Sequence, residues 1–138
     1  MISHVELIDM ATQFKKFWFF KMPVINVLYV EDDIDFRRDA RAYFRAPEYK
    51  LDVASDYESG VAKARRKFYE LIILDGLEWA CFELIEAVKD VPHGEIIIFS
   101  GHPLIISNAE SRGIGTCYKT EGLDGLCKLQ KQNIMLIK

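Results

Sequence analysis

Along the 138-residue chain, four runs of apolar residues are each cut off by polar ones: residues 24–30 by Glu31, Asp32 and Asp33, residues 71–74 by Asp75, residues 96–99 by Ser100 and residues 116–118 by Lys119. Short β-rich runs of this kind read as parallel strands buried on both faces. Between them, apolar residues recur at helical spacing. The sets are Phe36, Ala40, Tyr43 and Phe44; Tyr57, Val61, Ala64 and Phe68; Trp79, Phe82, Leu84, Ile85 and Val88; and finally Leu123, Leu126, Leu129 and Ile134. A weaker strand at 50–54 fits between the first two helices, with Asp33 or Asp35 capping one and Ser55 or Asp56 the other. Pro92 and Gly94 break the chain before the fourth strand, and a short segment at 103–110 leads into a turn at Gly113 and Gly115. Five strand–helix units joined by right-handed crossovers predict an α/β domain over residues 23–138. Its architecture is a doubly wound five-stranded parallel sheet with helices on both faces.

Residues 1–22 stand apart as an N-terminal extension. Val5, Leu7, Ile8, Met10, Ala11, Phe14, Phe17 and Trp18 fall mostly at helical spacing, which predicts an amphipathic helix. Its aromatic and lysine-rich stretch at 14–21 lacks the cleavage site of a signal peptide and is too short to span a bilayer. Packing on its own domain or a sister chain, contact with a membrane surface or partner, and a start at Met22 all stay open.

Composition narrows the field further. With 50% apolar residues, the chain is one domain's worth and large enough for a real core. A net charge of −3 gives no basic footprint for nucleic acid, despite local clusters at Arg37-Arg38 and Arg65-Arg66-Lys67. Cys81, Cys117 and Cys127 are odd in number and form no CxxC pair, so they read as reduced thiols of a cytoplasmic protein without structural zinc.

The strand endings carry the chemistry. In an open α/β sheet the carboxyl ends of the strands face one crevice, so three carboxylates, a hydroxyl and an ammonium are expected to converge there. That set suits a divalent cation together with a phosphoryl group. Asp75 is placed as a nucleophile that would form an aspartyl phosphate. Glu31 and Asp32 are adjacent acids whose repulsion a hard cation such as Mg²⁺ would relieve. Ser100 would donate to a phosphoryl oxygen, with Gly101 leaving room, and Lys119 would pair with the remaining negative charge and reach Asp75 at rest. Each also has a plainer reading: the acids and Ser100 as helix caps, Lys119 as a solvated surface lysine.

An acidic pair, a lone Asp, Ser-Gly and Lys, in this order at the ends of strands one, three, four and five, resemble the receiver domain of two-component response regulators over residues 24–130. The resemblance implies a flavodoxin-like fold, phosphorylation of Asp75 by a histidine kinase or histidine phosphotransfer protein, and a need for Mg²⁺. It also implies that Leu77 supplies a backbone carbonyl to the ion beside Glu31, Asp32 and Asp75. By the same analogy, Ser100 and Lys119 become the catalytic and switch pair.

Departures from that pattern qualify the expectation. The segment 76–82 lacks the usual Met-Pro and later Gly and is slightly shortened. The apolar Leu77 side chain cannot orient a water, which favours a long-lived phosphoryl group. His102 is read either as a water-positioning modulator or as an exposed loop histidine. Thr120 stands where the family places a proline, so no cis peptide is expected. Thr116 replaces the aromatic switch residue; Tyr118, on the same strand face, either takes over part of that role or simply packs. Leu104, Ile105 and Ile106 form a short apolar segment read as a homodimer or partner patch.

Two functions follow. One is a stand-alone receiver, a signalling phosphoacceptor rather than an enzyme. The alternative is a pseudo-receiver that binds partners without phosphorylation. A phosphohydrolase lacks a second carboxylate two residues after Asp75, and flavin binding lacks a phosphate-cradling loop after the first strand.

Overall fold

A computed structural model of the chain describes residues 23–126. The extension at 1–22, and Cys127, Leu129 and Ile134 of the expected last helix, lie outside the described residues. The elements alternate as the apolar pattern predicts: β1 Ile25–Val30, α1 Ile34–Tyr43, β2 Tyr49–Ala54, α2 Tyr57–Arg66, β3 Leu71–Leu74, a 3₁₀ turn Leu77–Trp79, α3 Ala80–Val88, β4 Glu95–Ser100, α4 Pro103–Ser111, β5 Gly115–Tyr118 and a second 3₁₀ turn Lys119–Glu121. All five strands are parallel in one sheet of order β2-β1-β3-β4-β5, the flavodoxin-like winding.

Strand alternation divides the core into two layers. Leu28, Val30, Ile72, Leu74 and Ile98 pack with Ala64 of α2, Leu84 and Val88 of α3 and Ile106 and Ala109 of α4. On the other face, Val27, Tyr29, Leu71, Ile73, Ile97, Phe99 and Cys117 pack with Ala40 and Phe44 of α1 and with Leu126. β1, β3 and β4, each enclosed by two neighbours, are well buried: Val27–Val30, all of Leu71–Leu74 and Ile97–Ser100 are buried. Gly60 lets α2 lie close on β1, since a Cβ there would stand 2.9 Å from both Val30 methyls.

Caps set the helix starts. Asp33 caps α1 by accepting from Asp35 N (2.8 Å), and Asp56 caps α2 by accepting from Ser59 N (2.7 Å). α4 starts on His102, whose Nδ1 accepts from Leu104 N at 3.2 Å, with Pro103 in the first turn.

Three expectations need correction. Phe68 is exposed rather than inward, because α2 ends at Arg66 and helical periodicity no longer governs residue 68. Trp79 precedes α3 instead of belonging to it; it lies in the 3₁₀ turn and is exposed. Of the proposed surface patch only Leu104 is exposed (65%), whereas Ile105 (3%) and Ile106 (1%) are core residues. α4 is long enough to turn two of the three inward.

Candidate functional site

The strand register aligns Val30, Leu74 and Ile98, so Glu31 and Asp75 leave the sheet side by side, and Asp75 N donates to Val30 O (2.9 Å). Glu31, Asp75 and Lys119 each continue the alternation of the face that holds Tyr29, Ile73 and Cys117. Their side chains accordingly meet. Lys119 Nζ lies 2.6 Å from Asp75 Oδ1 and 3.1 Å from both oxygens of Glu31. The Phe36 ring of α1 sits beneath the same ammonium, 4.2 Å from its centroid.

The electrostatics follow from burial. Glu31 is fully buried, and its pKa is pushed up to about 7, first by loss of solvent and then by the neighbouring Asp75 charge, with Lys119 pulling it back. Burial alone would lower the Lys119 pKa, but its hydrogen bond to Asp75, the Asp75 charge and then Glu31 hold it above its usual value. Beneath them, the buried Tyr29 hydroxyl has no hydrogen-bond partner among the described residues; burial, then Glu31, raises its pKa.

Glu31, Asp32 and Asp75 each offer a carboxylate oxygen, and the three lie within 4.8 Å of one another. Three hard carboxylate donors with one ammonium in contact among the described residues, and a glutamate pushed up first by burial and then by Asp75, fit a hard divalent cation.

Asp75 Oδ2 accepts from Leu77 N at 3.1 Å, so the residue named for its carbonyl also holds the Asp75 carboxylate through its N–H. This contact comes from an unusual turn. Leu77, Glu78 and Trp79 all have positive φ (49°, 52° and 78°), a region that costs an L-residue about 1 kcal/mol or more each. The turn is held by Trp79 N donating to Gly76 O (2.9 Å), by Leu77 packing on the core, and by the Trp79 ring lying against His102 and Phe82, with centroids at 5.5 and 6.2 Å. Gly76 permits its close approach to α4, because a Cβ there would meet Ile105 Cδ1 at 2.7 Å and Ser100 Oγ at 3.3 Å.

Ser100 belongs to the opposite face of the sheet. Its Oγ accepts from His102 N (3.0 Å) and makes no hydrogen bond to Asp75. A Cβ on Gly101 would meet nothing within 4 Å. His102, read as a modulator or a free loop histidine, is the cap of α4; the signal was the following Pro103. No cis peptide occurs among the described residues. On β5, Thr116 Oγ1 donates to Glu110 Oε1 at 3.4 Å, and Tyr118 is 37% exposed; by alternation both face away from the side that carries Cys117 and Lys119. Two contributors escaped the sequence reading: Phe36, read only as core, and Arg37, read only as part of a basic cluster. Arg37 Nη1 donates to Glu31 O at 2.8 Å.

By sequence, no family model and no curated protein matches the chain. Solved structures do. A CheY-like response regulator receiver domain protein from Methanospirillum hungatei JF-1 is 20% identical with a TM-score of 0.67, covering 80% of this chain and 93% of its own. The chain has the fold of a response-regulator receiver domain. The response regulator protein TrrA from Thermotoga maritima, solved with Mg²⁺ and BeF, shares this receiver fold at 25% identity and a TM-score of 0.64, covering 79% of this chain and 98% of its own. A response regulator from Burkholderia pseudomallei, solved with a phosphorylated aspartic acid, a calcium ion and citrate, shares it at 16% identity and a TM-score of 0.59, covering 80% and 74%. No helix among the described residues is long and apolar enough to cross a membrane.

Proposed function

We propose that the chain is a signalling phosphoacceptor, phosphorylated on Asp75 with Mg²⁺ bound by Glu31, Asp32, Asp75 and the Leu77 carbonyl. The observation that carries this is the single ammonium of Lys119 shared between Asp75 and Glu31 inside a three-carboxylate cluster at the strand ends. Such an arrangement positions a carboxylate nucleophile and leaves negative charge uncompensated until a cation arrives. The phosphorylated aspartate of the Burkholderia protein and the Mg²⁺ and BeF of TrrA support this reading.

The Mg²⁺ ion, when bound, offsets charge on the transferring phosphoryl oxygens. The protein's own residues do the rest. An Asp75 carboxylate oxygen attacks phosphorus, the bond from phosphorus to the donor nitrogen or oxygen breaks, and that atom leaves with the electron pair and takes up a proton. Leu77 N and Lys119 Nζ hold the Asp75 carboxylate in place. Ser100, beside Gly76, donates to a phosphoryl oxygen once one is present. The donor partner on this reading is a histidine kinase or histidine phosphotransfer protein.

Thr116 favours a second reading, a module that binds partners without phosphorylation, because this strand position lacks an aromatic and hydrogen-bonds Glu110 instead. One experiment separates them: incubation with Mg²⁺ and acetyl phosphate, followed by intact mass. One added phosphoryl group, absent in Asp75→Asn, supports the phosphoacceptor. A folded protein that stays unmodified at millimolar Mg²⁺ and binds no Mg²⁺ supports the second reading.

A further inference from the structure

The geometry points to Arg37 as a positioning residue for the divalent cation, acting through the backbone of Glu31; this rests on the phosphoacceptor reading above. Glu31 is the first residue beyond β1, where the sheet stops supplying partners. Its N–H still donates to Ala54 O (2.9 Å), and the preceding carbonyl, Val30 O, accepts from Asp75 N (2.9 Å). The Glu31 carbonyl has no strand opposite it. Arg37 Nη1 takes that place at 2.8 Å. A part-buried acceptor needs a donor, since it has left its water behind and is destabilising when unmatched.

The consequence reaches two ligands at once. The Glu31 carbonyl lies in the peptide plane that joins Glu31 Cα to Asp32 Cα, and a peptide is rigid about that bond. One hydrogen bond to the carbonyl therefore orients the stems of both acidic side chains. Two adjacent carboxylates facing Asp75 repel one another and would turn apart if that plane were free to rotate. Arg37 is itself well anchored: it lies in the first turns of α1, with its N–H on Asp33 O (3.1 Å), and Asp33 is the cap that starts the helix. The guanidinium thus connects a capped helix to the acidic loop.

This role differs from simple structural support in one measurable way. Mg²⁺ demands near-ideal octahedral geometry with short bonds, whereas Ca²⁺ accepts varied geometry. Loosening the Glu31–Asp32 plane should weaken Mg²⁺ more than Ca²⁺. The test is calorimetric titration of the full chain with each ion separately, for the wild type, Arg37→Met and Arg37→Lys. Arg37→Met is expected to weaken Mg²⁺ binding about tenfold or more, the usual scale for lost outer-shell partners. Ca²⁺ binding should change by less than about threefold. Arg37→Lys, which keeps a donor on a long stem, should recover part of the Mg²⁺ loss. If Arg37→Met does not fold, Arg37→Gln carries the same test, because its shorter amide falls short of the carbonyl and the Mg²⁺/Ca²⁺ ratio remains the readout. Equal weakening of both ions, or no weakening, overturns the role of Arg37 while leaving the phosphoacceptor reading intact. A wild type that binds neither ion overturns both.

Discussion

The two sides of the site are built to different standards. Glu31 and Asp75 follow the central strands β1 and β3, whose residues are almost wholly excluded from solvent, and each has its backbone N–H fixed by an adjacent strand. β5 is an edge strand of four residues; Thr116 is half-buried, Tyr118 is exposed, and only Cys117 is buried. Lys119 joins the two sides, extending from the end of the edge strand to acids held by the centre of the sheet. On the phosphoacceptor reading, the chemistry thus depends on the well-buried part of the fold. Residues that would pass a change outward depend on the lightly held part, where departures from the family pattern cost the fold little.

The largest expected effect breaks the connection between these sides. Lys119→Met leaves Glu31 and Asp75 without their ammonium and should lower the stability of the metal-free protein by about 4 kcal/mol in urea unfolding. Added Mg²⁺ should restore part of it. If the variant were as stable as the wild type, the contrast between a charged centre and a slack edge would lose its main support.

The core beneath the edge comes next. Ile105→Ala should cost about 3 kcal/mol, as a large-to-small change in a packed layer, while Leu104→Ala, one residue away but exposed, should stay within about 0.5 kcal/mol. Thermal or urea unfolding of the two single variants checks this directly, and sedimentation of Leu104→Ala shows whether that side chain supports a second copy.

An effect of comparable size is pH-dependent. Because the folded-state pKa of Glu31 is raised to about 7 from 4.5, the folded metal-free protein holds a proton that the unfolded chain has released between those values. The contribution of Glu31 to stability is therefore fully present below about pH 4.5 and is lost as the pH rises through about 7. Glu31→Gln should flatten this decline. Mg²⁺, which needs the carboxylate, should bind more weakly as the pH falls below about 7. A decline of the same depth in Glu31→Gln would place the titrating group elsewhere.

The smallest effect sharpens the slack side. Thr116→Ala loses one long hydrogen bond to an exposed glutamate and should change stability by less than about 0.5 kcal/mol. On the phosphoacceptor reading it should leave the yield of Asp75 phosphorylation unchanged in intact-mass measurements.

The strands were legible because each apolar run ends in a charge or hydroxyl, and burial on both faces leaves no other reading for so short a run. The convergence of Glu31, Asp75 and Lys119 was legible for the same reason: parallel strands in register must bring their ends together. Less visible were features set by side chains acting outside their usual habits. Histidine is not a common cap, so His102 was read as loop or modulator, although the Pro that follows it marked the helix start. Periodicity carried Phe68 inward past a helix that had already ended. The Leu77–Trp79 turn had no local sign, because no Gly, Asn or Asp stands at its three left-handed positions; local hydrogen bonds to Asp75 and Gly76 and tertiary packing together hold it.

That turn makes the site optically accessible. Trp79 stands four residues from Asp75, half in solvent, with its ring against an imidazole, and Leu77 N at the start of the same turn is bonded to the Asp75 carboxylate. Three successive residues confined to one small region of backbone space can adjust only together. On the phosphoacceptor reading, a change at the carboxylate is expected to reach the indole. With Trp18 replaced by a non-emitting residue, the Trp79 emission should report phosphorylation of Asp75, and an emission unchanged on phosphorylation would show the turn does not move with it.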